Sequence, residues 1–209
     1  MRVAGIDGTK GGWVAIVLED AHFVRGHLIR VVESDFSELG DCEIVGIDVP
    51  IGFGPRAADA AARAFLSGTA STVFSTPPQS VLESRFGPGL GVSAQAHALG
   101  PRIIHVTALA SVDARFREVH PEVSFRAMNE EAPLRYRKKS AGGALERIEL
   151  LRRAGIELDR IGLAATAPLD DVLDAAAAAW TARRIASGAA QSLPSPPEDV
   201  AGRSVAIWF

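Results

Sequence analysis

The sequence predicts an α/β protein with a mixed sheet, part antiparallel meander and part parallel, flanked by helices. Three observations carry that expectation. Three strand-like apolar runs lie within the first 32 residues, joined by links too short for a helical crossover. A fourth apolar run, Glu43–Asp48, follows after a short helical segment. An Ala-rich stretch over 56–66 and a longer one over 169–185 then supply helices.

In chain order, Arg2–Asp7 is the first strand and Gly8-Thr9-Lys10-Gly11-Gly12 the turn after it. Trp13–Leu18 is the second strand, and Phe23–Val32 the third, beyond a turn at Glu19-Asp20. Ser34 caps a short helix to about Gly40. Glu43–Asp48 is the fourth strand, stopped by Pro50. The helix over 56–66 ends at Gly68. Residues 69–101 contain Thr76-Pro77-Pro78 and Gly87-Pro88-Gly89 and read as a long irregular region with at most one helix. Long irregular regions in compact domains tend to be functional or mobile. A helix is expected over Thr107–Phe116, then a strand over Arg117–Phe125 broken by Pro121. The basic stretch Arg135–Arg160 reads as a loop entering an amphipathic helix with Leu145, Ile148, Leu151 and Ala154 on one face. Leu169–Ile185 is a long helix, closed by the Pro-rich Leu193–Pro197, and Ser204–Phe209 is a last strand. With no repeat or linker in view, a single domain over 1–209 is expected, carrying an irregular insertion at about 67–102.

The chain has 209 residues, 47% of them hydrophobic, and a mean hydropathy of +0.15. That is enough apolar material for a full core, and it excludes intrinsic disorder. A net charge of −3 and a pI near 6.0 exclude a globally basic nucleic-acid coat. The single Cys42 excludes a disulfide framework and a cysteine-rich zinc module. No apolar run approaches the roughly 18 residues of a membrane span. Met1-Arg2 leads directly into a strand, with no signal peptide in view, so a soluble cytoplasmic protein is expected. The charge is unevenly spread. Residues 1–50 hold four basic and nine acidic side chains, whereas 135–160 hold eight basic and four acidic. The basic stretch is either a solvated helix face or a phosphate-contacting surface.

The carboxylates carry the chemistry. Gly5-Ile6-Asp7 and Gly46-Ile47-Asp48 end two strands in the same way. An Asp there lies where a sheet opens to solvent, the usual place for a site, although Asp also starts turns. In a strand, Glu118, His120 and Glu122 would share one face. A metal or proton-transfer task would account for them, as would an edge strand with its polar face in water. Asp171 and Asp174 share a helix face. Capping explains Asp170 well and Asp171 in part, but not Asp174, which lies inside an apolar run. Converging, Asp7, Asp48, Glu118, Asp171 and Asp174 would repel one another unless a cation neutralised them. Hard oxygen ligands point to Mg²⁺ or Mn²⁺. Two such ions can stabilise the attacking and leaving oxygens of a phosphodiester displacement.

The order of elements, with Asp on the first and fourth strands and on a late helix, resembles the ribonuclease H-like fold. Asp171-x-x-Asp174-Ala175 is similar to the last helix of RuvC-type resolvases, whose first strand also ends Gly-Ile-Asp and whose fourth carries Glu in place of Asp48. A closer resemblance, over nearly the whole chain, is to the domain of unknown function 429 family, described as predicted ribonuclease H-like nucleases. It rests on Gly5-Ile6-Asp7-Gly8 with Gly11-Gly12-Trp13, on Ile47–Gly52, and on Ser71–Phe74. It rests equally on Glu118–Phe125, on Lys138-Lys139-Ser140 with Gly142, and on Asp171–Ala175. The departures are Thr9, where Cys is common, and His105-Val106-Thr107, where an acidic run is usual.

The resemblance implies that Asp7, Asp48 and Asp174 are metal ligands, with Glu118 or Asp171 completing the shell. It implies that His120 positions water or shuttles a proton, and that Lys138, Lys139 and Lys10 contact substrate phosphate. Arg63 is a weaker candidate, readable as a helix-surface residue. The expected function is metal-dependent hydrolysis of RNA or DNA phosphodiester bonds, with nucleic acid as partner. Two other classes stay open. A phosphotransferase of the actin and sugar-kinase superfamily would use Asp7–Gly12 as its first phosphate turn, although such kinases need two lobes and no Walker A pattern is present. A non-catalytic binding protein would keep the acids for a structural cation. The oligomeric state is open, a homodimer included.

Overall fold

The first two strands set the frame, and their pairing follows from one glycine turn. In the computed structural model, which describes residues 1–200 and 202–209 and all their side chains except those of 68–70, β1 (Arg2–Thr9) and β2 (Gly12–Glu19) form a hairpin. Gly11, at φ 75°, takes the left-handed conformation that turn requires. The third strand, β3 (His22–Ile29), continues the meander. β4 (Ile44–Ile47) pairs parallel to β1, Ile6 beside Ile47, and β5 (Phe116–Glu118) pairs parallel to β4, Ile47 beside Glu118. The sheet order is β3-β2-β1-β4-β5, a mixed five-stranded sheet flanked by helices.

Alternation along the strands sorts the residues into two cores. Ala4, Ile6, Ala15, Val17, Val45 and Ile47 pack on one face of the sheet, with Phe36, Phe116 and α4 (Gly100–Val112). Val3, Val14, Ile16 and Leu18 pack on the other, against α6 (Ala141–Arg153) and α7 (Leu169–Ala186). Gly5 and Gly46 lie on this second face, so α7 can approach the strands backbone to backbone. A Cβ at Gly5 would stand 2.0 Å from the Ala179 nitrogen and 2.1 Å from the Ala175 oxygen. One at Gly46 would stand 2.6 Å from the Ala178 oxygen. The alanines Ala175–Ala179, fully buried, complete the fit from the helix side.

The remaining elements are α1 (Ala57–Leu66), α2 (Gln79–Glu83), α3 (Ala94–Ala98), α5 (Pro121–Met128) and a two-stranded sheet of β6 (Ser192–Val200) and β7 (Arg203–Trp208). A bridge between Val119 and Trp208 ties this small sheet to the end of β5. Among the described residues, no helix is long and apolar enough to cross a membrane.

Several elements differ from their sequence expectation. The helix expected over 34–40 is a single 3-10 turn at Ser37–Leu39, and the Ser34 hydroxyl accepts the Phe36 N–H instead of capping a helix. α1 ends at Leu66 with Ser67 at φ 45°, one residue before Gly68. The stretch 67–102 holds a 3-10 segment, α2, α3 and the start of α4, more helix than its Gly and Pro content suggested. α4 replaces the helix expected over 107–116, beginning earlier because Pro101 suits a first helical turn. The strand expected over 117–125 stops at Glu118, because Pro121 opens α5 in the same way. On α6, Leu145 and Ile148 are exposed, whereas Gly143, Arg147, Leu150 and Leu151 face inward. The Pro-rich 193–197 belongs to β6.

The helix–sheet seam yields a test. Gly5→Ala, which forces a methyl into the α7 backbone, is expected to cost about 3 kcal/mol or more in chemical denaturation. Gly46→Ala, with a longer nearest approach, is expected to cost less.

Candidate metal centre

The parity that places Gly5 and Gly46 against α7 also places Asp7 and Asp48, two residues further on, on the same side of the sheet. Asp174 precedes Ala175 on the helix that packs there. One carboxylate oxygen from each of Asp7, Asp48 and Asp174 lies within 4.8 Å of the others. Asp7 and Asp174 are buried, and Asp48 is partly buried. The Asp7 Oδ1 accepts the N–H of Gly8 at 2.7 Å. Lys138 Nζ donates to Asp174 Oδ2 at 2.7 Å. The other Asp174 oxygen, Oδ1, is buried with no hydrogen-bond partner.

Three acids so placed hold their protons more tightly than free carboxyls. Burial raises Asp7 well above the usual range, and the charges of Asp48, Asp174 and Asp171 add to it. Burial likewise raises Asp48, reinforced by Asp174. Asp174 is pushed up to about 6 by burial, with Lys138 acting against the shift. Burial alone would lower the Lys138 ammonium, but the pull of Asp174, followed by Asp48 and Asp7, reverses this and raises it. Lys138 is thus the internal counter-charge of the acid cluster.

The cluster forms part of the floor of a cleft of about 590 Å³, which Asp171, His120, Lys139 and Glu118 also line. Asp171 lies partly buried in the first turn of α7; burial raises its carboxyl, and a hydrogen bond with the Thr9 side chain lowers it. His120 lies between β5 and α5. Burial lowers its pKa, which leaves the imidazole neutral at pH 7, and its Nδ1 is buried without a hydrogen-bond partner. Lys139 is exposed.

Glu118 stands in the wall and not among the three clustered acids. Its Oε1 accepts from Arg56 Nη2 at 2.7 Å, and its Oε2 accepts the Ile51 N–H at 2.7 Å and a second Arg56 nitrogen. Arg56 also pairs with Asp59, whose other oxygen takes the Thr76 N–H at 2.8 Å. Glu122 does not share a strand face with Glu118 and His120. It lies in the first turn of α5 and accepts both its hydrogen bonds from Arg147, at 2.7 and 2.8 Å. Lys10 is exposed in the β1–β2 turn and is not part of the cleft lining. Arg63 donates to the Val73 carbonyl at 3.3 Å.

Arg56, Asp59, Arg102 and Arg147 were not singled out from the sequence. Arg102 reaches the carbonyls of Thr9 and Gly12 and lies 5.2 Å over the Trp13 ring. Apart from the Arg56–Asp59 pair, three residues apart, their ion-pair and hydrogen-bond partners in the site are remote in the chain, so little local spacing signals them. The departure at His105–Thr107 acts away from the cleft. His105 Nε2 meets the Ser34 carbonyl at 2.7 Å, and the Thr107 hydroxyl accepts the Gly52 N–H at 2.9 Å.

A carboxyl whose pKa is raised by folding stabilises the fold fully below its unfolded value. That stability is lost as pH rises through the folded value. For Asp174 the window runs from about 4 to about 6, and for Asp7 it extends upward from the same starting point. In EDTA, Asp7→Asn is therefore expected to raise Tm relative to wild type at pH 8, by about 2–4 °C for each kcal/mol relieved. The gain should shrink towards pH 4. A Tm difference independent of pH would contradict this electrostatic account.

The family model described as "Protein of unknown function (DUF429)" matches residues 5–199. No curated protein and no solved structure matches the chain. With the match extending over nearly its whole length, the chain belongs to the DUF429 family.

Proposed function

We propose that this protein is a metal-dependent nuclease of ribonuclease H-like fold that hydrolyses phosphodiester bonds of RNA or DNA. The observation that carries the reading is the meeting of Asp7, Asp48 and Asp174 within 4.8 Å in a cleft. Two buried acids and a partly buried third, with one lone cationic partner, are costly to keep as a structural device. The strand order β3-β2-β1-β4-β5, with Asp7 near the end of β1 and Asp48 directly after β4, supports the fold assignment.

The donor set suits Mg²⁺ or Mn²⁺. All three groups offer hard oxygens, and the buried Asp174 Oδ1 has a lone pair that no protein donor uses. Asp7, Asp48 and Asp174 would hold the ion, with Asp171 adjacent. Bound there, it would supply Lewis-acid stabilisation of charge developing on the phosphoryl oxygens. The neutral His120 can accept a proton from water at pH 7. Lys139 can meet a phosphate oxygen as a point charge. Glu118 holds Arg56, and so keeps the wall in place.

Labelled single-stranded, duplex and branched RNA and DNA, incubated with Mg²⁺ or Mn²⁺, should show hydrolysis that EDTA abolishes. Asp7→Asn and Asp174→Asn should each lower kcat/KM by more than about a hundredfold, equivalent to about 3 kcal/mol of transition-state stabilisation. Undiminished hydrolysis by Asp7→Asn would overturn the assignment.

A further inference from the structure

A polynucleotide held along its length needs cations against its phosphates, and the cleft has almost none to give. Eight of its lining side chains are carboxylates and four are cations. Three of the four cations are already engaged. Arg56 is held by Glu118 and Asp59, Arg102 by the carbonyls of Thr9 and Gly12, and Lys138 by Asp174. Of the four, only Lys139 forms no hydrogen bond or ion pair with a described residue. The cleft therefore has one side-chain cation available for phosphate, besides the ion that the acids would hold.

The size points the same way. About 590 Å³ is the space of one small organic ligand. Its other walls are uncharged. Ser71 and Phe74 come from one part of the 67–102 stretch, and Ser93 and Gln95 from another. A ring, two hydroxyls and an amide suit the neutral nucleoside part of a ligand better than its phosphates.

We propose that the site takes a single phosphodiester at a chain end or in a short oligonucleotide, with the terminal nucleoside against Phe74 and Gln95, and does not engage the interior of a duplex. This rests on the phosphodiesterase reading and narrows its substrate. In the reaction, a water oxygen forms the new bond to phosphorus and the P–O ester bond to the rest of the chain breaks. The released oxygen takes a proton and leaves as an alcohol. The products are a mononucleotide and a shortened chain.

The experiment compares four substrates in Mn²⁺: a dinucleotide, a linear 20-nucleotide single strand, the same strand circularised, and a 20-base-pair blunt duplex. Binding of the dinucleotide and of the duplex to Asp7→Asn is measured in parallel. The linear strand should release mononucleotides from the outset, and the dinucleotide should show kcat/KM within about tenfold of it. The circle should be at least a hundredfold slower. The slope of log kcat/KM against log salt should stay near −1, as one neutralised phosphate gives. Lys139→Ala should raise KM about tenfold and flatten that slope. Equal cleavage of circle and linear strand, or a slope of −4 or steeper, would overturn the inference while leaving the nuclease reading intact. If no substrate were hydrolysed but the dinucleotide bound and the duplex did not, the nuclease reading would fall and the ligand class would stand. Binding of the duplex without the dinucleotide would overturn the ligand class.

Discussion

The backbone contact between α7 and the two strands β1 and β4 is the constraint on which the rest depends. It exists because Gly5 and Gly46 present no Cβ where the helix passes, and because that helix presents alanines in return. A larger residue on either side would push the helix outward by the thickness of a methyl or more. Asp174 would then move off the sheet, and the three oxygens would no longer lie within 4.8 Å of one another. Seam and site therefore share one geometry. The glycine two residues before Asp7, and the one two residues before Asp48, set how close the third acid comes.

That closeness is opposed by electrostatics. Burial and mutual repulsion both raise Asp7 and Asp48. The protein offsets part of this with the Lys138 ammonium and leaves the rest as a local destabilisation. The two buried cations among the described residues, Arg56 and Arg147, are by contrast charge-matched. Arg56 is matched by Glu118 and Asp59, and Arg147 by Glu122, each with several hydrogen bonds. Buried ion pairs of this kind add little net stability against a well-packed apolar core, but losing one partner is expensive. They hold the walls in one arrangement, and the unbalanced acids are confined to the floor.

Much of this was legible in the sequence. The repeats Gly5-Ile6-Asp7 and Gly46-Ile47-Asp48 located two acids by their place after an apolar run, where a sheet opens to solvent. Asp174 stood out because no cap or solvent exposure accounts for a carboxylate inside an alanine run. Less was legible where partners are distant. Glu118 reads as a site acid in isolation, and only the fold brings it against Arg56. Helical periodicity placed the apolar face of α6 over Leu145 and Ile148, but Arg147 took the inward position because Glu122 and the Phe125 ring receive it. The Pro-rich end of the chain gave no sign of β6, whose pairing with β7 skips from Leu193 to Glu198 and leaves the prolines outside the ladder. In each case a tertiary partner outweighed a local signal.

Asp7 and Asp48 sit on neighbouring strands, whereas Asp174 arrives on a helix much later in the chain. Until α7 docks, the first two acids face water and cost little. The repulsion therefore opposes docking of the helix and not formation of the sheet. A divalent ion gripped by all three would act on that same step. It would join the first strand, the residue after the fourth and the last helix described, closing two long loops at one point. In a chain whose single cysteine permits no internal disulfide, such an ion would be a staple as well as a reagent.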